Sequence, residues 1–243
     1  MAAKVIHGVN AVREALRAGR CVNRVYLARE SRAHGVDALV DEAKTLRVPF
    51  DFVPQAKLND LTGTREHQGV AATISPLAYA SLDECLERCP PKALLLALDQ
   101  VQHPRNFGML LRTAFGAGVA AVLAPERGGA LLDDDVVRAS AGAAFHVPVV
   151  PCPNLSQTLR TLKDSGFWVY ALAGDGDEDV FTVNWADRSV LVLGNETHGI
   201  RPGVQKACDV TVRIPLCGGL DSLNVSVAAG VALFQAMLSM RRG

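Results

Sequence analysis

The chain has 243 residues, long for one average domain and sufficient for two small ones. Hydrophobic residues make up 49% and aromatic residues only 5%. The core must therefore be built from Ala, Val and Leu, which favours helices packed on a parallel sheet over an aromatic-rich β-sandwich. The 25 basic and 25 acidic side chains cancel, which argues against a protein that coats polyanions without selectivity. Residues 1–75 hold 11 Lys/Arg against 8 Asp/Glu and the remainder reverses that balance. This small excess hints that the N-terminal part is the one that meets nucleic acid.

Six cysteines are scattered at Cys21, Cys85, Cys89, Cys152, Cys208 and Cys217. None forms a C-x-x-C pair, so no zinc or other metal is expected. The opening MAAKVIHG lacks the apolar stretch of a secretion signal, and no charge-free apolar run reaches membrane-spanning length. A soluble, cytoplasmic protein with reduced thiols and no membrane association is the expectation.

In chain order, GVNAVREALRAG (8–19) has helical spacing through Val9, Val12 and Leu16, with Gly19 as a stop. RVYLA (24–28), PFDFV (49–53) and GVAATI (69–74) read as strands, and VDALVDEAKTLR (36–47) as a second helix. Residues 1–75 thus form a small α/β domain. The Pro-, Ser- and charge-rich stretch 76–91 is a linker with one short helix in it. Residues 92–243 form a larger α/β domain. Its first strand is ALLLALD (93–99), continuous apolar residues suited to burial on both faces. Further strands are predicted at 119–124, 167–172, 189–193 and 210–214, and helices at 105–117, 133–144, 155–165 and 223–240. That alternation predicts a mostly parallel sheet covered by helices.

Three constellations carry chemistry. The first is QHPRNFGMLLRTAFGAGV (102–119). Steps of 100° place Phe107, Leu110, Leu111 and Ala114 on one face, with Arg105, Gly108 and Arg112 roughly opposite and Asn106 at the edge near the helix start. A single outward Arg112 is most simply a solvated helix arginine. Its functional alternative is a guanidinium placed for phosphate or ribose. The second constellation is LVLGNETHGIRPG (191–203), a buried strand running into Gly194, a polar Asn-Glu-Thr-His and Gly199. Glycines there let backbone approach a ligand at the C-terminal edge of a sheet. Neither a dinucleotide fingerprint nor a P-loop is present, and an ordinary turn carboxylate explains Glu196 as well as a functional one. The third is RIPLCGGLDSLNVSVAAGVALFQAML (213–238). Ser222 is the expected cap of the last helix, and capping alone would account for it. Asn224, inside the first turn, is harder to explain by capping and points to function. The helix is apolar nearly all round, which implies burial on more than one side and hence a homodimer.

These blocks, in this order, resemble the SpoU branch of the SPOUT RNA methyltransferases. The family's Asn-x-Gly-x-x-x-Arg helix, Gly-x-Glu-x-x-Gly loop and Ile-Pro…Ser-Leu-Asn-x-Ser run read here as N-F-G-M-L-L-R, G-N-E-T-H-G and I-P-L…S-L-N-V-S. The N-terminal I-H-G-V-N-A-V-R-E-A-L and H-Q-G-V-A-A are similar to bacterial 23S rRNA guanosine-2′-O-methyltransferases, so the resemblance spans nearly the whole chain. It implies a SPOUT-type α/β catalytic domain with a deep trefoil knot, preceded by a ribosomal-protein-like RNA-binding domain. It also implies a homodimer, S-adenosyl-L-methionine as cofactor and RNA, foremost 23S rRNA, as partner. Carried over residue by residue, Asn106, Arg112, Glu196, Ser222 and Asn224 match active-site positions. Gly194, Ile214 and Leu223, helped by Leu216, match positions that touch the cofactor. Asn195 and Thr197-His198 depart from the smaller or acidic residues common in the middle block, which bears on substrate choice.

The resemblance gives Arg112 the part of a base, which sits badly with a group protonated in essentially all proteins. A bidentate grip on an RNA phosphate beside the target is the better-founded role. Two other readings stay open at the level of sequence: a tRNA ribose methyltransferase, and a non-catalytic RNA-binding protein on the same scaffold.

Overall fold

Two runs of alternating strand and helix build two separate sheets in the computed structural model, which describes residues 4–19, 22–29, 35–75 and 77–242. Cys21 lies outside the described residues. The first sheet uses strands β1 (Lys4–His7), β2 (Val22–Ala28), β3 (Phe50–Val53) and β4 (Val70–Ile74) in the order β1-β4-β2-β3. Strand β4 runs antiparallel to both neighbours, and β2 and β3 are parallel. Helices α1 (Val9–Arg17), α2 (Val36–Thr45) and α3 (Gln55–Thr62) join them. Helix α1 buries Val9, Ala11, Val12, Ala15 and Leu16, the stripe its 3.6-residue period dictates.

The start of α1 shows how the two ends of this segment depend on each other. Gly8 offers no side chain to cap the helix, so the Val9 N–H is taken by Gln68 Oε1 at 3.1 Å. Next to it, His67 is buried yet fully satisfied: Nε2 lies 2.9 Å from Asn59 Oδ1, and Nδ1 accepts the Gly69 N–H at 2.9 Å. The H-Q-G triplet is therefore structural glue.

The second sheet is all parallel. Its strands are β5 (Ala93–Leu98), β6 (Ala121–Pro125), β7 (Val149–Cys152), β8 (Trp168–Leu172), β9 (Glu178–Asp179), β10 (Arg188–Leu193) and β11 (Val210–Arg213), in the order β7-β6-β5-β10-β8-β11-β9. Every residue of β5 is buried, as its unbroken apolar run predicts for a central strand. Helices α4 (Leu82–Arg88), α5 (Pro104–Gly116), α7 (Leu155–Asp164), α8 (Pro202–Gln205) and α9 (Val225–Arg242) connect or cover these strands. No described helix is long and apolar enough to cross a membrane.

Helix α5 buries the four residues placed on its inner face, but it buries Gly108 as well. The wheel sets Gly108 outward; in the structure α9 packs along α5 and covers a second side.

The helix expected at 133–144 is also interrupted. It forms α6 (Asp134–Ala139) and then a single 3-10 turn at Ala143–Phe145. The break comes at Ala141 and Gly142, with φ of 51° and 89°. A Cβ on Gly142 would lie 2.4 Å from Glu14 Cβ, so this turn is pressed against α1.

By contacts the chain divides into a unit of residues 1–78 with 132–146, and a unit of 79–131 with 147–243. The segment Leu132–His146 therefore belongs with the first sheet, although its sequence position puts it among the strands of the second. Lys4 reaches the Leu132 carbonyl at 3.4 Å and Asp134 at 4.0 Å, and His146 pairs with Glu14 at 2.9 Å. Such tertiary partners leave no mark on local periodicity.

Candidate active site at the strand ends

Strands β8, β10 and β11 lie side by side, and the segments leaving their C-terminal ends wall a cavity of about 650 Å³. A parallel α/β sheet places ligands at this edge. Ala173–Asp175 follow β8, Gly194–Ile200 follow β10, and the run from Ile214 to Val225 follows β11. Gly194, Glu196, Ile214, Leu216, Ser222, Leu223 and Asn224 all line it. Seven of the nine residues singled out in the sequence thus share one cavity.

The loop after β10 has a fixed shape. A Cβ on Gly194 would fall 2.1 Å from the Gly199 carbonyl carbon and 2.3 Å from the Ile200 nitrogen, so the chain folds back onto this residue too closely for any side chain. Asn195 and Gly199 exchange backbone hydrogen bonds of 2.9 Å in both directions. The Asn195 side chain closes the turn: Oδ1 accepts the N–H groups of Thr197 and His198, and Nδ2 donates to the Gln100 carbonyl at 2.9 Å. At the far end, fully buried Asp99 accepts the Arg201 N–H at 2.7 Å and its guanidinium at 2.7–2.8 Å. Asn195, which reads in the sequence as a departure in the middle block, is what ties the loop to the end of β5.

A chain of side-chain hydrogen bonds crosses the rim. Asn106 Nδ2 donates to Glu196 Oε1 at 2.7 Å, and Asn224 Nδ2 donates to Asn106 Oδ1 at 3.4 Å. Three residues from three separate motifs are joined. The structure corrects one expectation here. Asn224, not Ser222, caps α9: its Oδ1 accepts the Ser226 N–H at 3.0 Å and its carbonyl accepts the Ala228 N–H at 2.9 Å. The helix begins later than its apolar pattern suggests, because residues 214–224 are drawn along the cavity wall. Asn224 therefore caps the helix and holds Asn106 at once, while Ser222 is left as an exposed hydroxyl on the cavity lining.

Arg112 is not part of this chain. It is exposed on α5, does not line the cavity, and has no hydrogen-bond or ion-pair partner among the described residues.

The cavity's ionisable lining among the described residues is Asp175, Glu196, Asp221 and His198, with no lysine or arginine among them. Such a lining suits a ligand bearing positive charge, as a sulfonium with an amino group does, and Ile214, Leu216 and Leu223 supply apolar wall. Asp175 and Asp221 were not singled out in the sequence. The available signal was the Gly- and Asp-rich A-G-D-G-D that follows strand 167–172. Arg213 holds that loop by donating to the Gly176 and Asp177 carbonyls.

The thiols provide a chemical check on the cavity wall formed after β11. Burial, with help from Asp209, pushes the Cys208 thiol up to about 12, so only about one part in ten thousand is thiolate at pH 8. Burial raises Cys85, Cys89 and Cys152 as well. Cys217, next to Leu216, is exposed. Iodoacetamide at pH 8 is expected to label the Cys217 peptide more than about a hundredfold faster than the Cys208 peptide by mass spectrometry. Saturating S-adenosylmethionine should slow Cys217 and leave Cys208 unchanged. Equal labelling with and without the ligand would detach residues 214–224 from the binding cavity.

Residues 93–234 match the SpoU rRNA methylase family, and residues 5–80 match the substrate-binding domain of RNA 2′-O ribose methyltransferases. A Staphylococcus epidermidis protein assigned to the TrmH family of tRNA/rRNA methyltransferases is 37% identical over 235 residues, covering 95% of this chain and 94% of its own. The solved SpoU methyltransferase AviRb of Streptomyces viridochromogenes, in complex with AdoMet, shares the fold with a TM-score of 0.82 at 24% identity, over 99% of this chain and 92% of that one. A solved RNA 2′-O ribose methyltransferase gives 0.78 at 26% identity, over 98% and 88%. The match runs through both units and meets a cavity whose charge suits a cationic methyl donor. The chain accordingly belongs to the SpoU/TrmH family of S-adenosylmethionine-dependent RNA methyltransferases.

Proposed function

We propose that the protein methylates the ribose 2′-hydroxyl of a guanosine in the peptidyl-transferase region of 23S rRNA, as a step in ribosome maturation. The observation that carries the chemistry is the hydrogen-bonded chain Glu196–Asn106–Asn224 at the rim of an acidic cavity. The N-terminal match to a ribose methyltransferase substrate-binding domain supports a large structured RNA as the target.

The bound donor supplies a methyl group already activated on a sulfonium. The protein's task is alignment of a ribose oxygen with that methyl and help in loosening the hydroxyl proton. Gly194, Ile214, Leu216 and Leu223 would hold the donor through backbone groups and apolar contact. Asp175, Glu196 and Asp221 would balance its charge. Asn106 and Asn224 fix the Glu196 carboxylate and the start of α9. The Ser222 hydroxyl, free of capping, polarises the attacking hydroxyl. Arg112, exposed and unpaired among the described residues, grips the phosphate beside the target nucleotide and steadies charge developing on the oxygen.

The protein acts as a homodimer, with the family's trefoil knot in the catalytic unit. Met109 and Phe115 of α5 and Val227, Phe234 and Leu238 of α9 are each 39–50% exposed on helices that pack together. Such a face is one that a second copy would cover.

The test is transfer of labelled methyl to RNA purified from a strain lacking the gene, followed by mapping. A 2′-O-methyl blocks alkaline cleavage of its own phosphodiester, so the site reads as a gap in a hydrolysis ladder. One protected guanosine in 23S rRNA is expected. Protection confined to tRNA overturns the target, label without protection overturns ribose chemistry, and no label with any RNA makes the protein a non-catalytic binder.

A further inference from the structure

A second cavity, of about 580 Å³, opens at the same C-terminal edge of the seven-stranded sheet, on the other side of the β5–β10 pair. It lies where β5, β6 and β7 end: Gln100 follows β5, Arg127 follows β6, and Cys152 closes β7. Its charge is opposite to that of the first. Among the described residues, Arg127 and Arg201 are its ionisable groups apart from the Cys152 thiol, and no Asp or Glu lines it. Asp99, the nearest carboxylate behind Arg201, is fully buried and already engaged by it. Arg127 is exposed and has no partner among the described residues. Ser156 adds a hydroxyl, and the first-turn amides of α7 at Leu155 and Ser156 have no acceptor among the described residues, since Asn154 takes the Gln157 N–H. Two guanidinium groups, one of them already paired with Asp99, a hydroxyl and first-turn amides around one cavity suit an anion such as phosphate.

The two cavities share a wall. Gly194–Ile200 line the first, while Arg201, Gly203 and Val204, next in the chain, line the second. Gln100 sits at the partition in a left-handed conformation unusual for its residue type, φ 64°. Its carbonyl holds Asn195 of the donor loop, and it also lines the second cavity. The sheet edge therefore offers an acidic cavity for a cation and a basic one for an anion, separated by one loop pinned through Asp99–Arg201 and Gln100–Asn195.

We propose that the second cavity binds a backbone phosphate of the substrate RNA, at a nucleotide displaced from the one methylated. Arg127 is its adjustable contact, and Arg201 links it to the donor loop. The proposal rests on the enzyme acting on RNA, but its binding arm does not require turnover. Arg127→Ala and Arg127→Lys test it in the whole 243-residue chain, since Arg127 is exposed and has no hydrogen-bond or ion-pair partner among the described residues. The probes are a fluorescent oligoribonucleotide, followed by anisotropy across a salt series, and inorganic phosphate, followed by calorimetry.

Arg127→Ala is expected to weaken oligoribonucleotide binding about tenfold and to flatten the log K against log salt slope by about 0.7, one phosphate contact on a single strand. Arg127→Lys should restore most of both. In turnover, the KM for RNA should rise while kcat and S-adenosylmethionine affinity stay within twofold. Wild-type RNA affinity and salt slope in Arg127→Ala would overturn the proposal. So would loss of inorganic phosphate binding alone, which would make this a site for free phosphate. Absence of methylation with wild-type protein would count against the proposed function, while the anisotropy result still reads the cavity.

Discussion

Gly194→Ala is expected to weaken S-adenosylmethionine binding by up to about a hundredfold while leaving the protein folded. The added Cβ would lie 2.1–2.4 Å from three backbone atoms of Gly199 and Ile200, and backbone cannot rotate out of the way as a side-chain tip can. The loop must open, which carries Asn195 away from Gln100 and Glu196 away from Asn106. Overpacking of this kind costs about 1–3 kcal/mol. Here it falls on the loop proposed to hold the donor, and the upper end of that range corresponds to about a hundredfold in affinity. Calorimetry with S-adenosylmethionine checks the loss, and circular dichroism checks the fold. Wild-type affinity in this variant would mean that the donor does not depend on the loop after β10. A fold lost together with binding would be distinguished by Gly199→Ala. Gly199 has φ 68° with open space around its Cβ position, so that variant strains the turn without the collision.

Arg112→Ala is expected to do the reverse: donor affinity unchanged, turnover reduced by about 10²–10³. The two halves of that expectation come from different observations. Arg112 lies outside the cavity at the strand ends and outside the Glu196–Asn106–Asn224 chain, so nothing proposed to hold the donor is disturbed. Its guanidinium is exposed, and its removal takes away the group assigned to phosphate and developing charge. Arg112→Lys should recover little, because an ammonium gives a point charge where a planar fork is needed. Near-normal methylation by Arg112→Ala in a single-turnover assay removes this residue from the mechanism and leaves the rim chain to do the work alone.

The large elements were legible because their burial is periodic. Phe107, Leu110, Leu111 and Ala114 mark one face of α5, and the unbroken apolar run of β5 marks a strand with both faces covered. Strand β7 was missed because prolines flank and interrupt it at 148, 151 and 153. Its place at the sheet edge, paired only with β6, tolerates the missing donor at Pro151. Helix α3 was missed because only Leu58 is buried, too little for a stripe. Within the site, Gly194 and Glu196 stood out because a buried strand runs straight into them. Asp175 and Asp221 did not, since their proximity is set by β8 and β11 lying side by side, 40 residues apart in chain order. The role of Asn224 was misread for a local reason: the apolar pattern of α9 starts at Leu223, whereas the helix starts only where its cap also meets Asn106.

The return of Leu132–His146 to the first sheet bears on how the protein can be taken apart. The backbone passes between its two units three times, after Ala78, Leu131 and His146, so a single cut in the 76–91 stretch does not yield two intact modules. A fragment ending at Ala78 loses Asp134 opposite Lys4 and His146 opposite Glu14. Transplanting the RNA-recognition module onto another catalytic unit therefore requires carrying the 132–146 excursion with it, as a two-piece graft.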